Sequence, residues 1–356
     1  MRPLSDTIAR LAAFRAAATR TNSAFDHLAE LTGFESNPGN LKARVHVPTD
    51  LPDNAPLVVV LHGCTQTASE YDVGSGWSQL ADSQGFVVLL PEQQRANNAN
   101  LCFNWFVPGD TGRDLGEAQS IRAMIEKLVV DLGLDRRRIF VTGLSAGGAM
   151  ASVMLATYPE VFAGGAIVAG LPYGVASTVP EAFDRMRGHG GQDADRLESL
   201  VRGASNHAGP WPTVSIWHGS ADNTVSPSNG EAILDQWRGL HGVGLRPARS
   251  EVVDGYPHEV WCNRQGRPVI ERYTITGMSH GTPLDVTNGD GVSGAYMLDV
   301  GISSTRHIAR FWGLAPAGTS APRRKPAAAA PEPVAEPVGP ITQVIETALR
   351  RAGLMR

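Results

Sequence analysis

Residues 138–159 read RIFVTGLSAGGAMASVMLATYP, and the fold is decided there. The apolar run Ile139-Phe140-Val141 ends at Gly143-Leu144-Ser145-Ala146-Gly147, and a small-residue helical pattern follows at once. Strand, sharp turn and helix in this order are the context of a nucleophile elbow, which lifts one serine hydroxyl above the edge of a sheet. Gly143 and Gly147 fit because larger side chains would clash where the strand reverses into the helix. The five-residue pattern alone is weak. In a chain with 39 glycines it arises by chance roughly 0.3 times, so its flanks carry the weight.

Outward from the elbow, continuous apolar runs at 57–61 and 86–90 predict strands buried on both faces. Residues 114–132 place Leu115, Ala118, Ile121, Ile125, Leu128 and Val129 at helical spacing. Further strands are predicted at 139–142, 163–169 and 213–217. A hairpin is predicted over 258–277, with its turn at Arg264-Gln265-Gly266-Arg267, and a last helix at 305–312. Strands alternating with helices imply an α/β fold: a mainly parallel central sheet with helices on both faces. The expected organisation is an N-terminal helical extension over 1–39, helical and peripheral through 32, and a main domain over 40–314. Residues 171–211 lack a strand and read as a lid-like insertion. Residues 315–340 are a Pro/Ala-rich linker, and 341–356 a short C-terminal helix.

The 356 residues are 42% hydrophobic and 19% charged, as expected of a globular protein. A net charge of −4 gives no sign of a nucleic-acid partner. No apolar run of the length of a membrane span exists. Residues 1–20 carry Arg2, Arg10, Arg15 and Arg20, with Leu4, Ile8 and Leu11 at helical spacing. They read as an amphipathic surface helix, since a secretory signal needs a continuous apolar segment; an atypical targeting segment is the other reading. Three cysteines allow one bridge and one free thiol. Cys64 and Cys102 both follow predicted strands near one sheet edge, so a Cys64–Cys102 bridge with Cys262 unpaired is one possibility. A bridge would favour an oxidising compartment.

A serine hydroxyl needs a base, the base needs an orienting acid, and the forming oxyanion needs donors. Behind an elbow of this kind, the acid and then the histidine follow the serine along the chain. Asp222 sits where the apolar strand Val214-Ser215-Ile216-Trp217 runs into a small-residue turn, and is the candidate acid. His280 follows the last strand on a glycine-flanked loop and is the candidate base. His258 and His307 compete, but a strand entrance and a helix interior are places where histidines pack or face solvent. The oxyanion donors would be the amides of Ala146 and of Cys64, which ends the strand–loop Leu61-His62-Gly63-Cys64. No metal or cofactor is required, and the histidines lack the spacing of metal ligands. Trp77, Trp105, Tyr173, Trp211 and Trp261 are most simply core residues. Trp105 and Tyr173 are the best candidates for substrate contact, Tyr173 because it follows a strand's carboxyl end.

Seven segments together resemble the polyhydroxybutyrate depolymerase family of α/β-hydrolase esterases, which has feruloyl and acetylxylan esterase relatives. They are PLVVVLHGCTQ (56–66), FVVLLPEQ (86–93), CFNWF (102–106), IFVTGLSAGGAMA (139–151), GLPYG (170–174), WHGSADNTV (217–225) and GMSHGTP (277–283). The resemblance implies an α/β-hydrolase fold and a serine esterase with Ser145, Asp222 and His280 as triad. It also implies Cys64 and Ala146 as oxyanion donors. The implied substrate is a poly(3-hydroxybutyrate)-type polyester or its oligomers, cleaved through an acyl-enzyme; a feruloyl or acetylxylan ester is the alternative. It implies an extracellular enzyme, although no clear signal peptide is present and a cytoplasmic location stays open. Val175 follows GLPYG where family members often carry a cysteine, and no appended substrate-binding module is evident. Two other classes remain: a non-catalytic binding protein of the same fold, and an acyltransferase using an acceptor other than water. The oligomeric state is open.

Overall fold

The computed structural model describes residues 27–316 except Asp290. Ten strands form one sheet: β1 (Ala29–Glu30), β2 (Lys42–His46), β3 (Leu57–Leu61), β4 (Val87–Glu92), β5 (Ile139–Leu144), β6 (Gly164–Val168), β7 (Thr213–Gly219), β8 (Arg249–Val253), β9 (Tyr256–Cys262) and β10 (Pro268–Ile275). Their order across the sheet is β1-β2-β4-β3-β5-β6-β7-β10-β9-β8. The run from β4 to β10 is parallel, and the pairs at both edges are antiparallel. The expected α/β fold with a mainly parallel sheet is what forms. Two short strands, β11 (Thr282–Leu284) and β12 (Met297–Asp299), pair separately.

Strand β3 shows why continuous apolar runs become central strands. Leu57, Val59 and Leu61 enter one hydrophobic cluster, while Val58 and Val60 enter another on the opposite face. The helices are α1 (Ala68–Ser75), α2 (Trp77–Gln84), α3 (Pro108–Thr111), α4 (Gly116–Leu132), α5 (Ala146–Thr157), α6 (Val179–Met186), α7 (Ala194–Arg202), α8 (Ser228–His241) and α9 (Ser304–Phe311). Side chains of α4, α5 and α8 fill the first cluster. Those of α1, α2 and α9 fill the second, where Trp312 stacks on Trp77 and Phe140. Every residue of α5 is buried, so its small and apolar composition is a packing requirement.

One expectation is corrected. Residues 29–30 are not helical: Ala29 and Glu30 pair antiparallel with Val45 and Arg44, one buried and the other exposed. The segment begins the sheet because Leu28, Ala29 and Leu31 are buried against it, so the N-terminal extension does not run to residue 39 as a helix. The rest of the expected helix over 1–32, the linker beyond 316 and the C-terminal helix lie outside the described residues. The 258–277 hairpin forms as β9 and β10, its turn held by Asn263 Oδ1, which accepts from the amides of Gln265 and Arg267. Residues 171–211 contain α6 and α7 and no strand. Among the described residues no helix is long and apolar enough to cross a membrane.

Candidate active site

Ser145 lies between β5 and α5 with φ 57° and ψ −117°. A non-glycine residue at positive φ is strained, and such strain persists only where the surroundings enforce it. Here they do. The Ser145 amide continues the sheet by donating to Val168 O at 2.9 Å. A Cβ on Gly143 would meet the Gly147 backbone at 2.4 Å, and one on Gly147 would meet Leu61 O at 2.2 Å. Both elbow glycines are therefore required by close backbone approach. Ser145 itself is half-buried.

Asp222 and His280 meet. His280 Nδ1 donates to Asp222 Oδ2 at 2.7 Å, and the carboxylate is buried. The other oxygen, Oδ1, accepts the amides of Thr224 and Val225, both at 2.9 Å. The two loops are tied together: Ala221 N–H donates to Met278 O, and Gly277 N–H to Ser220 Oγ. Burial alone would raise the Asp222 pKa. Hydrogen bonds from His218, His280 and Val225, with the charge of His280, outweigh it and hold the group below the ordinary carboxylate range. Its stabilising contribution is thus present above the unfolded carboxylate pKa and lost only as pH falls through the depressed folded value.

Sequence reasoning gave His218 no role. Its Nε2–H donates to Val225 O at 2.9 Å and stands 3.5 Å from Asp222 Oδ2, while its buried Nδ1 has no partner among the described residues. The available signal was its position on the acid strand, four residues before Asp222. The competing histidines are engaged elsewhere. His258 bonds Glu271 and Glu251 and stacks on Tyr273, and His307 bonds Asp254.

The loop after β3 is rigidly built. His62 Nδ1–H donates to Gly63 O at 2.8 Å, and its Nε2 accepts from Gln93 N. Burial lowers the His62 pKa, which fits this neutral form. Gly63 N–H donates to Gln66 Oε1 at 2.9 Å. The amides of Cys64 and Ala146 have no acceptor among the described residues.

Cys64 is bridged to Cys102, and Cys262 is free. The bridge spans 38 residues, so in the chain-entropy model its loss costs up to ~4 kcal/mol. Cys102→Ala is expected to lower the urea midpoint accordingly, and an unchanged midpoint would count against a structural bridge.

The 93–104 loop, which carries Cys102, is held by Glu117, fully buried on α4. Its carboxyl accepts from Asn104 N and Gln93 Nε2. Burial outweighs these bonds and raises its pKa from 4.5 to about 8. Between these values the folded state holds a proton that the unfolded chain has lost. Stability therefore falls as pH rises through this range, by ~1.4 kcal/mol per unit. Glu117→Gln should flatten that slope, whatever its absolute cost. Urea unfolding at pH 5, 6.5 and 8 measures it, and equal slopes in both proteins would refute the assignment.

Trp105 is largely buried, edge-on to Phe106, in a cluster that includes Ala146, Ala149, Leu171, Val175, Leu197 and Val225. The 171–211 segment therefore packs beside the elbow. Tyr173 is half-buried against the α4–α5–α8 cluster, its backbone held by Gln236. Trp77 and Trp261 are core residues. Among the described residues no three His, Cys, Asp or Glu side chains are grouped to hold a metal ion.

Residues 43–250 match the family model described as esterase PHB depolymerase. The chain is 47% identical over 291 residues to poly(3-hydroxyalkanoate) depolymerase C of Paucimonas lemoignei, covering 81% of this chain and 70% of that one. It is 31% identical over 262 residues to acetylxylan esterase A of Aspergillus oryzae, covering 71% and 83%. Among solved structures, the acetyl xylan esterase from Aspergillus awamori superposes with a TM-score of 0.70 at 25% identity, covering 81% of this chain and 99% of that one.

Proposed function

The chain belongs to the esterase PHB depolymerase family and is a carboxylic-ester hydrolase, and on that premise we propose that it cleaves poly(3-hydroxyalkanoate)-type polyesters or their oligomers. Ser145 Oγ attacks the ester carbonyl while His280 Nε2 takes its proton. Asp222, bonded to Nδ1, fixes the imidazole tautomer and stabilises the imidazolium. The amides of Cys64 and Ala146 receive the oxyanion. The tetrahedral adduct collapses as His280 returns the proton to the leaving hydroxyl. Water, deprotonated by His280, then releases the acyl group from Ser145. Trp105 and Tyr173 line the approach, and the 171–211 segment partly covers it.

The observation that carries this reading is the 2.7 Å Asp222–His280 bond at the sheet edge where the Ser145 elbow ends its strand. Nucleophilic catalysis by a serine with a carboxylate-oriented histidine is the chemistry that such an arrangement supports. The polyester is favoured because the depolymerase relative is matched over more of this chain and at higher identity than the acetylxylan esterases. The second reading, an acetylxylan or feruloyl esterase, is favoured by the superposition on the whole acetyl xylan esterase structure. The Cys64–Cys102 bridge supports action in an oxidising, extracellular compartment. A panel of hydroxybutyrate oligomers, amorphous polymer, methyl ferulate and acetylated xylan separates the readings. Highest kcat/KM on the oligomers is expected, and a preference for acetylated xylan would replace the polyester by the second reading.

A further inference from the structure

A cleft of about 510 Å³ opens between α1 and the 292–297 loop, within the size range of sites that bury small molecules. It adjoins the proposed machinery on two sides. Thr65 and Gln66, directly after the oxyanion residue Cys64, form one wall. Tyr296 forms another, its ring edge-on to His280 with centroids 6.1 Å apart. Val73 and Val292, two of the few large apolar side chains exposed anywhere among the described residues, face this cleft at 38% and 58% exposure.

The cleft is preformed. Val292 N–H donates to Gly74 O at 3.1 Å, and Thr282 N–H to Tyr296 O at 2.7 Å, so the loop is fastened at both ends. The two walls approach closely: a Cβ on Gly74 would meet Met297 Cγ at 2.6 Å. The Tyr296 hydroxyl, on the wall of the cleft, can donate to an ester carbonyl.

We propose that this cleft is the leaving-group subsite and takes the alcohol-side segment of a hydroxyalkanoate chain. The inference rests on the polyester reading above and specifies its geometry. The side is assigned by chemistry: His280 returns its proton to the leaving oxygen, so whatever packs on the His280 ring flanks the departing segment. The occupant follows from the polyester reading and fits the lining. Val73, Val292 and Tyr296 match the methyl and methylene groups of a hydroxyalkanoate, and Thr65, Gln66, Ser69 and Ser293 can donate to its ester oxygens, while Glu70 is held by the Thr67 cap.

The test compares 3-hydroxybutyrate trimer with methyl 3-hydroxybutyrate. Cut at its hydroxyl end, the trimer presents the same acyl group and differs in what leaves. Val292→Asp and Val73→Asp, at exposed positions, should lower the trimer-to-methyl-ester ratio of kcat/KM at least tenfold, mainly through KM. Val292→Ser, a milder change, should lower it several-fold. An unchanged ratio in folded variants, with a wild type that cleaves the trimer, overturns the subsite and leaves the polyester reading standing. A loss confined to methyl octanoate, extended on the acyl side, overturns the assignment of side. A wild type that cleaves the methyl ester but not the trimer overturns the polyester reading beneath it.

Discussion

Ser145→Ala is expected to lower kcat for ester hydrolysis by ~10⁵- to 10⁶-fold, the scale seen when a triad serine is removed. That corresponds to ~7–8 kcal/mol of lost transition-state stabilisation. The alanine has no atom that can form the acyl-enzyme, so the remaining rate reflects direct attack by water, aided only by substrate binding and the oxyanion amides. The fold should survive. The elbow is enforced by backbone approach of Gly143 and Gly147 to their neighbours, not by the Ser145 side chain. Alanine meets the same positive φ that serine already tolerates. Thermal unfolding within a few degrees of wild type, with activity gone, is the expected pair of results; retained activity would remove Ser145 from the reaction.

Asp222→Asn is expected to lower kcat ~10⁴-fold with little change in KM. The reason lies in how the carboxylate is held. Oδ1 accepts two backbone amides, from Thr224 and Val225, so the oxygen of the introduced amide is steered to that side. Its NH₂ then faces His280 Nδ1, which has to become an acceptor. The imidazole proton moves to Nε2, where it cannot receive the serine proton. The same NH₂ also faces the Nε2–H of His218, a second donor-to-donor contact. Steady-state kinetics on a chromogenic ester measures the effect, and a loss below tenfold would mean that another group orients His280.

What could be read from sequence follows burial. Strands β3 to β7 lie inside a parallel sheet, and two-sided burial writes them as apolar runs such as Leu57–Leu61 and Ile139–Leu144. Strand β2 carries Lys42, Arg44 and His46 on its outer face, and β8 is largely exposed, so neither stands out by hydrophobicity. Helix α1 has almost no apolar stripe, so its hydrophobic pattern did not announce it; in the structure its start is fixed by the capping box of Thr67 and Glu70. Asp222 and His280 were legible because chain order and strand ends constrain them. Glu117 was not, since a first-turn glutamate is ordinarily a solvated one, and its burial arises only when the 93–104 loop closes over it. The cleft beside Tyr296 was invisible for a similar reason: it joins residues 65–74 to residues 292–297, far apart along the chain.

The most direct measurement is peptide mass spectrometry after treatment with a fluorophosphonate. One covalent adduct per chain on Ser145 is predicted, absent in Ser145→Ala and forming much more slowly in Asp222→Asn. Stoichiometric labelling at another residue, or none in a protein that hydrolyses esters, would contradict the account.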